Sequence, residues 1–278
     1  MRDYAYYNGT FSPYDAATVP LSDRSIFFAD AVYDVVLGHN GIPYQIDEHL
    51  SRLMKNADAI GLDSEEVKSE ISEAIDLLIH DSEANDFILY IQLAAKQHRR
   101  CHSRNECGTN LLMTVTSADI PSKLTSASAI TFPDFRHGYC NLKTTDLLPA
   151  VLSVMDAESL GCDTAIFHRD SIVTEASASN VSIVCNNTLI THPLDRNILP
   201  GISEVNLINA AKKMGIAHER REFNIKEMMT ADAVLLTSTT KLVKVCTSVD
   251  GIDLPCKKYS LAEAFFNEML ADLLCKTT

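Results

Sequence analysis

The hydrophobic positions of this chain change period several times, and each change marks an element. Tyr4-Ala5-Tyr6-Tyr7 and Phe11 flank Asn8-Gly9, which predicts a tight hairpin over residues 4–11. Asn8-Gly9-Thr10 also matches a glycosylation sequon, but the turn reading accounts for the flanking aromatics. Ala31-Val32-Tyr33-Asp34-Val35-Val36 reads as a strand, and Gly38-His39-Asn40-Gly41 as the turn after it. Asp47-Glu48 then opens a helix with Leu50, Leu53, Met54, Ala57 and Ile60 on one face, stopped by Gly61. A second helix is predicted from about Ser64 to His80. Phe87–Leu93 and Leu111–Val115 read as strands.

Residues Thr116 to Ser126 are polar, include Pro121 and lack a clear period, which predicts a boundary. The domains expected are 1–118, a linker at 119–125, and 126–278. In the second half, a strand near Asn141 is predicted to lead into a helix over about Asp146–Leu160. Ala165–His168 with Ser171–Thr174, and Val181–Cys185 with Thr188–Thr191, read as two hairpins. Pro200-Gly201-Ile202-Ser203 opens a helix through Met214. Asp232–Leu236 is a buried strand running into Thr237-Ser238-Thr239-Thr240.

Composition narrows the function classes. At 278 residues and 46 % apolar, the chain can bury a sizeable core. No apolar run approaches the roughly 20 residues of a membrane span, and the polar, turn-forming start is unlike a signal peptide. A net charge of −13 argues against nucleic acid, whose affinity comes from basic surface. The eight cysteines are scattered without a Cys-x-x-Cys pair, which fits a reducing, cytoplasmic compartment and gives no zinc spacing. No metal site is expected.

The candidate chemistry centres on Cys140-Asn141-Leu142-Lys143-Thr144-Thr145-Asp146. About thirty residues further on, the spacing of a strand–helix–strand unit, stands Thr174-Glu175-Ala176-Ser177-Ala178-Ser179-Asn180. A lysine that forms a Schiff base must spend time as the free amine, which burial and a helix N-terminus promote. Thr144, Thr145 and Asp146 are candidate caps for that helix. A carboxylate such as Glu175 can keep a pyridine nitrogen protonated, the electron-sink arrangement of pyridoxal phosphate (PLP). Each residue taken alone is better read as a solvated lysine or an exposed glutamate at a strand end; the pairing and spacing carry the reading.

A phosphate needs donors. Gly201-Ile202-Ser203 offers backbone N–H groups and a hydroxyl at a helix start, and Thr237–Thr240 a second hydroxyl cluster. Arg52, on the helix behind His49, can add positive charge. Arg100-Cys101-His102 lies in a basic loop where arginine can grip a carboxylate. No nucleotide-phosphate motif occurs.

The order and spacing of these stretches resemble the fold-type IV PLP enzymes, the family of D-amino-acid aminotransferase, branched-chain aminotransferase and aminodeoxychorismate lyase. The matching residues are Phe28–Val36, Glu48–Leu53, the Lys143 segment, Gly161–Val181, Thr191-His192-Pro193, Ile198–Ser203 and Leu236–Thr240. The resemblance is nearest to the D-amino-acid aminotransferases. It implies an α+β fold of two domains, a smaller N-terminal α/β domain and a larger C-terminal pseudo-barrel that binds PLP. It implies that Lys143 forms the Schiff base and shuttles the substrate proton, and that Glu175 holds the pyridine nitrogen. It implies a phosphate site of Arg52, Ile202, Ser203 and Thr239, with Leu199 packed beside the ring. Tyr33 and Thr240 would line the substrate side. Arg100 and His102 match a pair that grips the substrate α-carboxylate from the neighbouring subunit, which implies a homodimer. Arg136 matches a further arginine near that family's site.

The activity implied is ping-pong transfer of an amino group, from a D-amino acid such as D-alanine to a 2-oxo acid. The alternatives are aminodeoxychorismate lyase, which uses the same lysine to eliminate pyruvate, and a branched-chain L-amino-acid aminotransferase. Ala95-Lys96 stands where the family usually has Arg-Gly, Gly138-Tyr139 replace larger or charged neighbours before Lys143, and Ala176 and Ala178 remove possible polar contacts.

Overall fold

The computed structural model describes residues 3–96, 100–104 and 108–278. Contacts divide these residues into two units. The first holds the described residues up to Ile120 together with Leu142–Asp146 and Leu274–Thr278; the second holds Pro121–Asn141 and Leu147–Leu273.

The first unit is an antiparallel sheet covered by helices. Its strands are β1 (Tyr4–Tyr7), β2 (Thr10–Pro13), β3 (Ala31–His39), β4 (Ile42–Pro43), β5 (Phe87–Ala95) and β6 (Thr109–Ser117). They lie in the order β2-β1-β6-β5-β3-β4. The β1–β2 turn is Asn8-Gly9, with φ of 44° and 80°, the two positive values a tight hairpin of this kind demands. Its helices are α1 (Arg24–Phe28), α2 (Ile46–Ala59) and α3 (Lys68–Ser82). Leu53 and Ala57 of α2 and Ile71, Ala74 and Leu78 of α3 pack with Val32, Val36, Leu89, Ile91 and Met113 in one core. Helix α2 ends where Gly61 takes a φ of 72°. The Gly38–Gly41 turn is narrower than its sequence indicates: Gly38 and His39 still pair with Pro43 and Ile42, and only Asn40-Gly41 turns.

The second unit is built on nine strands: β7 (Thr125–Pro133), β8 (Thr164–Arg169), β9 (Ile172–Ala176), β10 (Ser179–Cys185), β11 (Thr188–Thr191), β12 (Ala217–Arg220), β13 (Ala233–Ser238), β14 (Leu242–Val249) and β15 (Ile252–Asp253). Pairing runs β10-β13-β14-β7-β8-β9 and then returns to β10, so six strands close on themselves. The pseudo-barrel expected from the resemblance is therefore present. Closure occurs at Ser179↔Ala176 and Asn180↔Glu175; beyond it β10 leaves β9 and pairs with β11. Ala129, Ile166, Val181, Ile183, Val234, Leu236 and Cys246 fill its core. Four helices accompany it: α4 (Leu148–Ser159), α5 (Ile202–Lys213), α6 (Ile225–Thr230) and α7 (Tyr259–Lys276).

Two local expectations are corrected. No strand forms near Asn141; the strand in this region is β7, which falls at Thr125–Pro133, and residues 134–147 are irregular. The cause is that the Lys143 segment pairs with β3 of the first unit. Tyr33 N–H donates to Lys143 O at 2.9 Å, Thr145 N–H donates to Ala31 O at 3.2 Å, and Val32 and Thr144 form an isolated bridge. The helix after it begins only at Leu148, with Leu147 at its N-cap and Pro149 in the first turn. No side chain caps it, so Thr144, Thr145 and Asp146 are not its caps. Among the described residues, no helix is long and apolar enough to cross a membrane.

Candidate active site

In the first unit, strand β3 positions three candidate groups. The hydrogen bond from Tyr33 N–H to Lys143 O ties the two backbones together. The Lys143 ammonium then sits 4.3 Å from the centroid of the Tyr33 ring. That ring stacks on Tyr90 at 5.3 Å, and Tyr90 O–H donates to Gln92 Oε1 at 2.6 Å. Burial pushes the Tyr90 phenol well above its usual range. Lys143 thus stands, half-buried, over an aromatic face rather than swinging in solvent. Two residues on, Thr145 Oγ1 is buried and without a hydrogen-bond partner among the described residues.

One residue after Tyr33, Asp34 points inward on the same face as Val32 and Val36 and is fully buried. Arg52 of α2 donates to it through two nitrogens, each at 2.8 Å, and His49 Nδ1 lies 2.8 Å away. Burial works against the Asp34 charge. The hydrogen bonds from His49 and Arg52 outweigh it and hold the carboxyl well below the usual range. The spacing of His49 and Arg52, one helical turn apart, lets both reach this one carboxylate. Asp34 was not among the residues singled out from sequence; the signal was an acid at an inward position of an apolar strand, which must have a partner.

The Arg100–Arg104 loop is anchored separately. Arg24 donates to Cys101 O at 2.6 Å and to His102 O at 3.3 Å. The Phe28 ring lies 5.3 Å from the Arg100 guanidinium and 5.4 Å from the His102 ring.

In the second unit, the barrel seam organises the site. Glu175 on β9 is buried. Its Oε1 accepts from Arg136, and its Oε2 accepts from Asn180 Nδ2 at 3.1 Å and Leu199 N–H at 3.0 Å. Donors to both oxygens favour the charged form of a buried carboxylate. Asn180 also donates to Leu199 O at 2.8 Å, so Glu175 and Asn180 clasp the Leu199 peptide. Arg136 does not stand open to a ligand. It chelates Asp134 through Nε at 2.9 Å and a terminal nitrogen at 2.8 Å, and its guanidinium lies 4.5 Å from the Phe167 centroid. Burial opposes the Arg136 charge, but the hydrogen bond to Asp134 and the charges of Glu175 and Asp134 hold it protonated. Asn180 and Asp134 are further residues that sequence reasoning passed over.

Asn180 sits opposite Glu175 on one side and Thr237 on the other. Thr237 Oγ1 is buried and without a hydrogen-bond partner among the described residues, and the turn carrying Thr239 and Thr240 follows directly. Helix α5 starts at Ile202 with Gly201 at its N-cap and no side chain capping it. Its first N–H groups and the buried Ser203 hydroxyl therefore remain as donors for an anion. Glu204, which would repel an anion there, is paired with Arg220 at 2.9 Å. Burial raises the Glu204 carboxyl, against the pull of Arg220.

These observations fit PLP on chemical grounds. An ionised carboxylate suits a protonated pyridine nitrogen, uncapped helix N–H groups and hydroxyls suit a phosphate, and an oriented lysine suits a Schiff base. The fold is that of the fold-type IV PLP enzymes. A branched-chain amino acid aminotransferase from Thermobaculum terrenum in its PLP form superposes with a TM-score of 0.83 at 19 % identity, over 99 % of this chain and 96 % of the other. A 4-amino-4-deoxychorismate lyase described as putative, from Legionella pneumophila, superposes at 0.84 with 21 % identity, over 92 % and 96 %. The family model for class IV aminotransferases matches residues 31–249, and the chain belongs to that family. It is a PLP-dependent aminotransferase. In sequence it is 33 % identical over 255 residues to D-alanine aminotransferase from Bacillus licheniformis, covering 88 % of each chain.

Proposed function

We propose that this enzyme is a D-amino-acid aminotransferase that takes the amino group of a D-amino acid such as D-alanine and passes it to a 2-oxo acid. The observation that carries this reading is the Arg100-x-His102 loop, held by Arg24 through the Cys101 and His102 carbonyls, in a chain similar to D-alanine aminotransferases. An arginine and a histidine one residue apart supply the forked donor and the second donor that an α-carboxylate needs. The proposed assembly is a homodimer, with Arg100 and His102 serving the neighbouring copy's substrate, in the cytoplasm. All seven cysteines among the described residues are free, in keeping with a reducing compartment.

PLP, when bound, supplies the electron-withdrawing ring that stabilises charge developing at the substrate Cα. The residues do the rest. Lys143 Nζ is the proposed attachment point and the group that takes and returns the Cα proton. Glu175, whose oxygens accept from Arg136, Asn180 and Leu199 N–H, would hold the proton on the pyridine nitrogen. Leu199, its peptide clasped by Glu175 and Asn180, packs beside the ring. Arg52, the Ile202 N–H, Ser203 and Thr239 hold the phosphate, and Tyr33 and Thr240 line the substrate side.

The test follows the visible absorbance of the PLP-loaded protein on adding D-alanine or L-alanine, with pyruvate assayed in parallel. Pyruvate formed from D-alanine together with amination of 2-oxoglutarate supports the proposal. Reaction with L-leucine but not D-alanine favours the branched-chain alternative. Release of pyruvate from 4-amino-4-deoxychorismate without an amino acceptor favours the lyase.

A further inference from the structure

Asp30 precedes β3 and is nearly buried, with its side chain 11 % exposed. It accepts from Arg24 Nε at 2.7 Å and from Arg104 Nε at 2.9 Å, and Arg104 makes a second bond to its other oxygen. Arg24 is 5 % exposed and turns its remaining two nitrogens onto the Cys101 and His102 carbonyls. Arg104, at the far end of the same loop, also donates to Ile60 O. The guanidinium of Arg24 lies 4.7 Å from the Phe28 centroid, on a ring that also carries Arg100 and His102. One carboxylate therefore holds two arginines, one gripping the middle of the loop by its backbone and the other closing its end. A buried arginine keeps a fixed pose only with its counter-charge in place. Without Asp30, Arg24 loses the counter-charge that fixes its pose and keeps only the two carbonyls and the Phe28 ring.

We infer that Asp30, acting through Arg24 and Arg104, is a positioning residue that sets the grip of Arg100 and His102 on the substrate carboxylate. This rests on the reading of Arg100 and His102 given above. It makes carboxylate recognition depend on a residue that touches neither substrate nor cofactor, and it predicts a loss confined to binding. The Lys143–Tyr33 and Glu175–Arg136 arrangements involve none of these groups.

The experiment compares Asp30→Asn, Arg24→Gln and Arg100→Ala with the wild type as PLP-loaded full chains. It reads kcat, KM for D-alanine, Kd for PLP, and the inhibition constant of D-lactate, which carries the carboxylate but no amine to transfer. In Asp30→Asn, KM and the D-lactate constant rise together, by about tenfold, as expected for losing one well-placed charged hydrogen-bond set. The kcat and the PLP Kd stay within about twofold. Arg24→Gln leaves Asp30 paired with Arg104 and gives the same pattern, so the inference does not depend on Asp30→Asn folding. A purely structural role would instead lower kcat and PLP affinity along with thermal stability. If the D-lactate constant rises in Arg100→Ala but not in Asp30→Asn or Arg24→Gln, the positioning role is overturned and the carboxylate reading stands. If it does not move in Arg100→Ala, that reading fails and the inference with it.

Discussion

Asp34 and Arg52 form a fork-to-fork pair in which two guanidinium nitrogens each meet a carboxylate oxygen at 2.8 Å, with the carboxylate fully buried. This pairing decides what Arg52 can do. Its fork is fixed on Asp34, so the arginine cannot choose among rotamers when a phosphate arrives. Asp34→Asn keeps the shape but removes the charge that sets the pose. The expected result is a PLP Kd weaker by about tenfold or more, the equivalent of about 1.4 kcal/mol, together with a lower melting temperature of the PLP-free protein. Titration of the protein with PLP, followed by absorbance, checks it. An unchanged Kd in Asp34→Asn alongside a weakened one in Arg52→Gln shows that Arg52 does not need its partner.

Lys143 separates chemistry from architecture. Its ammonium lies over the Tyr33 ring, but the segment is fixed to β3 through backbone groups that a side-chain change leaves alone. Lys143→Ala should therefore fold and melt like the wild type. Turnover should fall by about 10³-fold or more, the scale of losing a proton-transfer group that also carries the cofactor. Steady-state activity at the wild-type rate would end the assignment of Lys143.

Gly201 is where backbone approach matters most. A Cβ there would meet Asn180 Oδ1 at 1.9 Å, and Asn180 is the residue that bridges Glu175 and the Leu199 peptide. Gly201→Ala should displace the Asn180 amide and cost about 1–3 kcal/mol, the range for overpacking a tight interior. Calorimetry reads the loss. In an Asn180→Ala background the clash disappears, so the cost of Gly201→Ala should shrink, and a double-mutant cycle measures the coupling. Additive losses would show that the two residues are not in conflict.

Much of this was legible in the sequence for identifiable reasons. Helix α2, the Asn8-Gly9 hairpin and the β8–β9 and β10–β11 hairpins carry strong local periods or turn residues, and all four form. Lys143 and Glu175 stood out because two chemically suited residues recurred at a telling distance. What was hidden is non-local. The Lys143 segment reads as a strand but lies irregularly, because its partner is β3, more than a hundred residues earlier. Asp34, Asp134 and Asn180 looked like ordinary strand and loop residues, since their role exists only through arginines and peptides brought in from elsewhere. Strands β7 and β14 pair in parallel across the same kind of distance and left no hairpin signal.

The buried aspartates fix the sign of the pH dependence. Asp30, Asp34 and Asp134 all have carboxyls held below their usual range. In each case burial opposes the charge, while arginine partners, and His49 for Asp34, more than compensate. An aspartate whose folded value lies below its unfolded value of about 3.9 stabilises the fold fully above that value, and the contribution drains away as pH falls beneath it. Glu204, raised mainly by burial, acts in the opposite sense: protonation relieves its cost as pH falls. Asp163, lowered by its hydrogen bonds from Ser128, and His218, lowered mainly by burial, act in the same sense as the three aspartates, so five groups oppose one and the net slope is toward instability in acid. Denaturant unfolding should give a free energy lower by about 2 kcal/mol or more at pH 3 than at pH 6. In Asp34→Asn the acid loss should be smaller, because one of these contributions is already gone. A flat profile down to pH 3 in the wild type would mean that these carboxylates lose as much to burial as their arginine partners return.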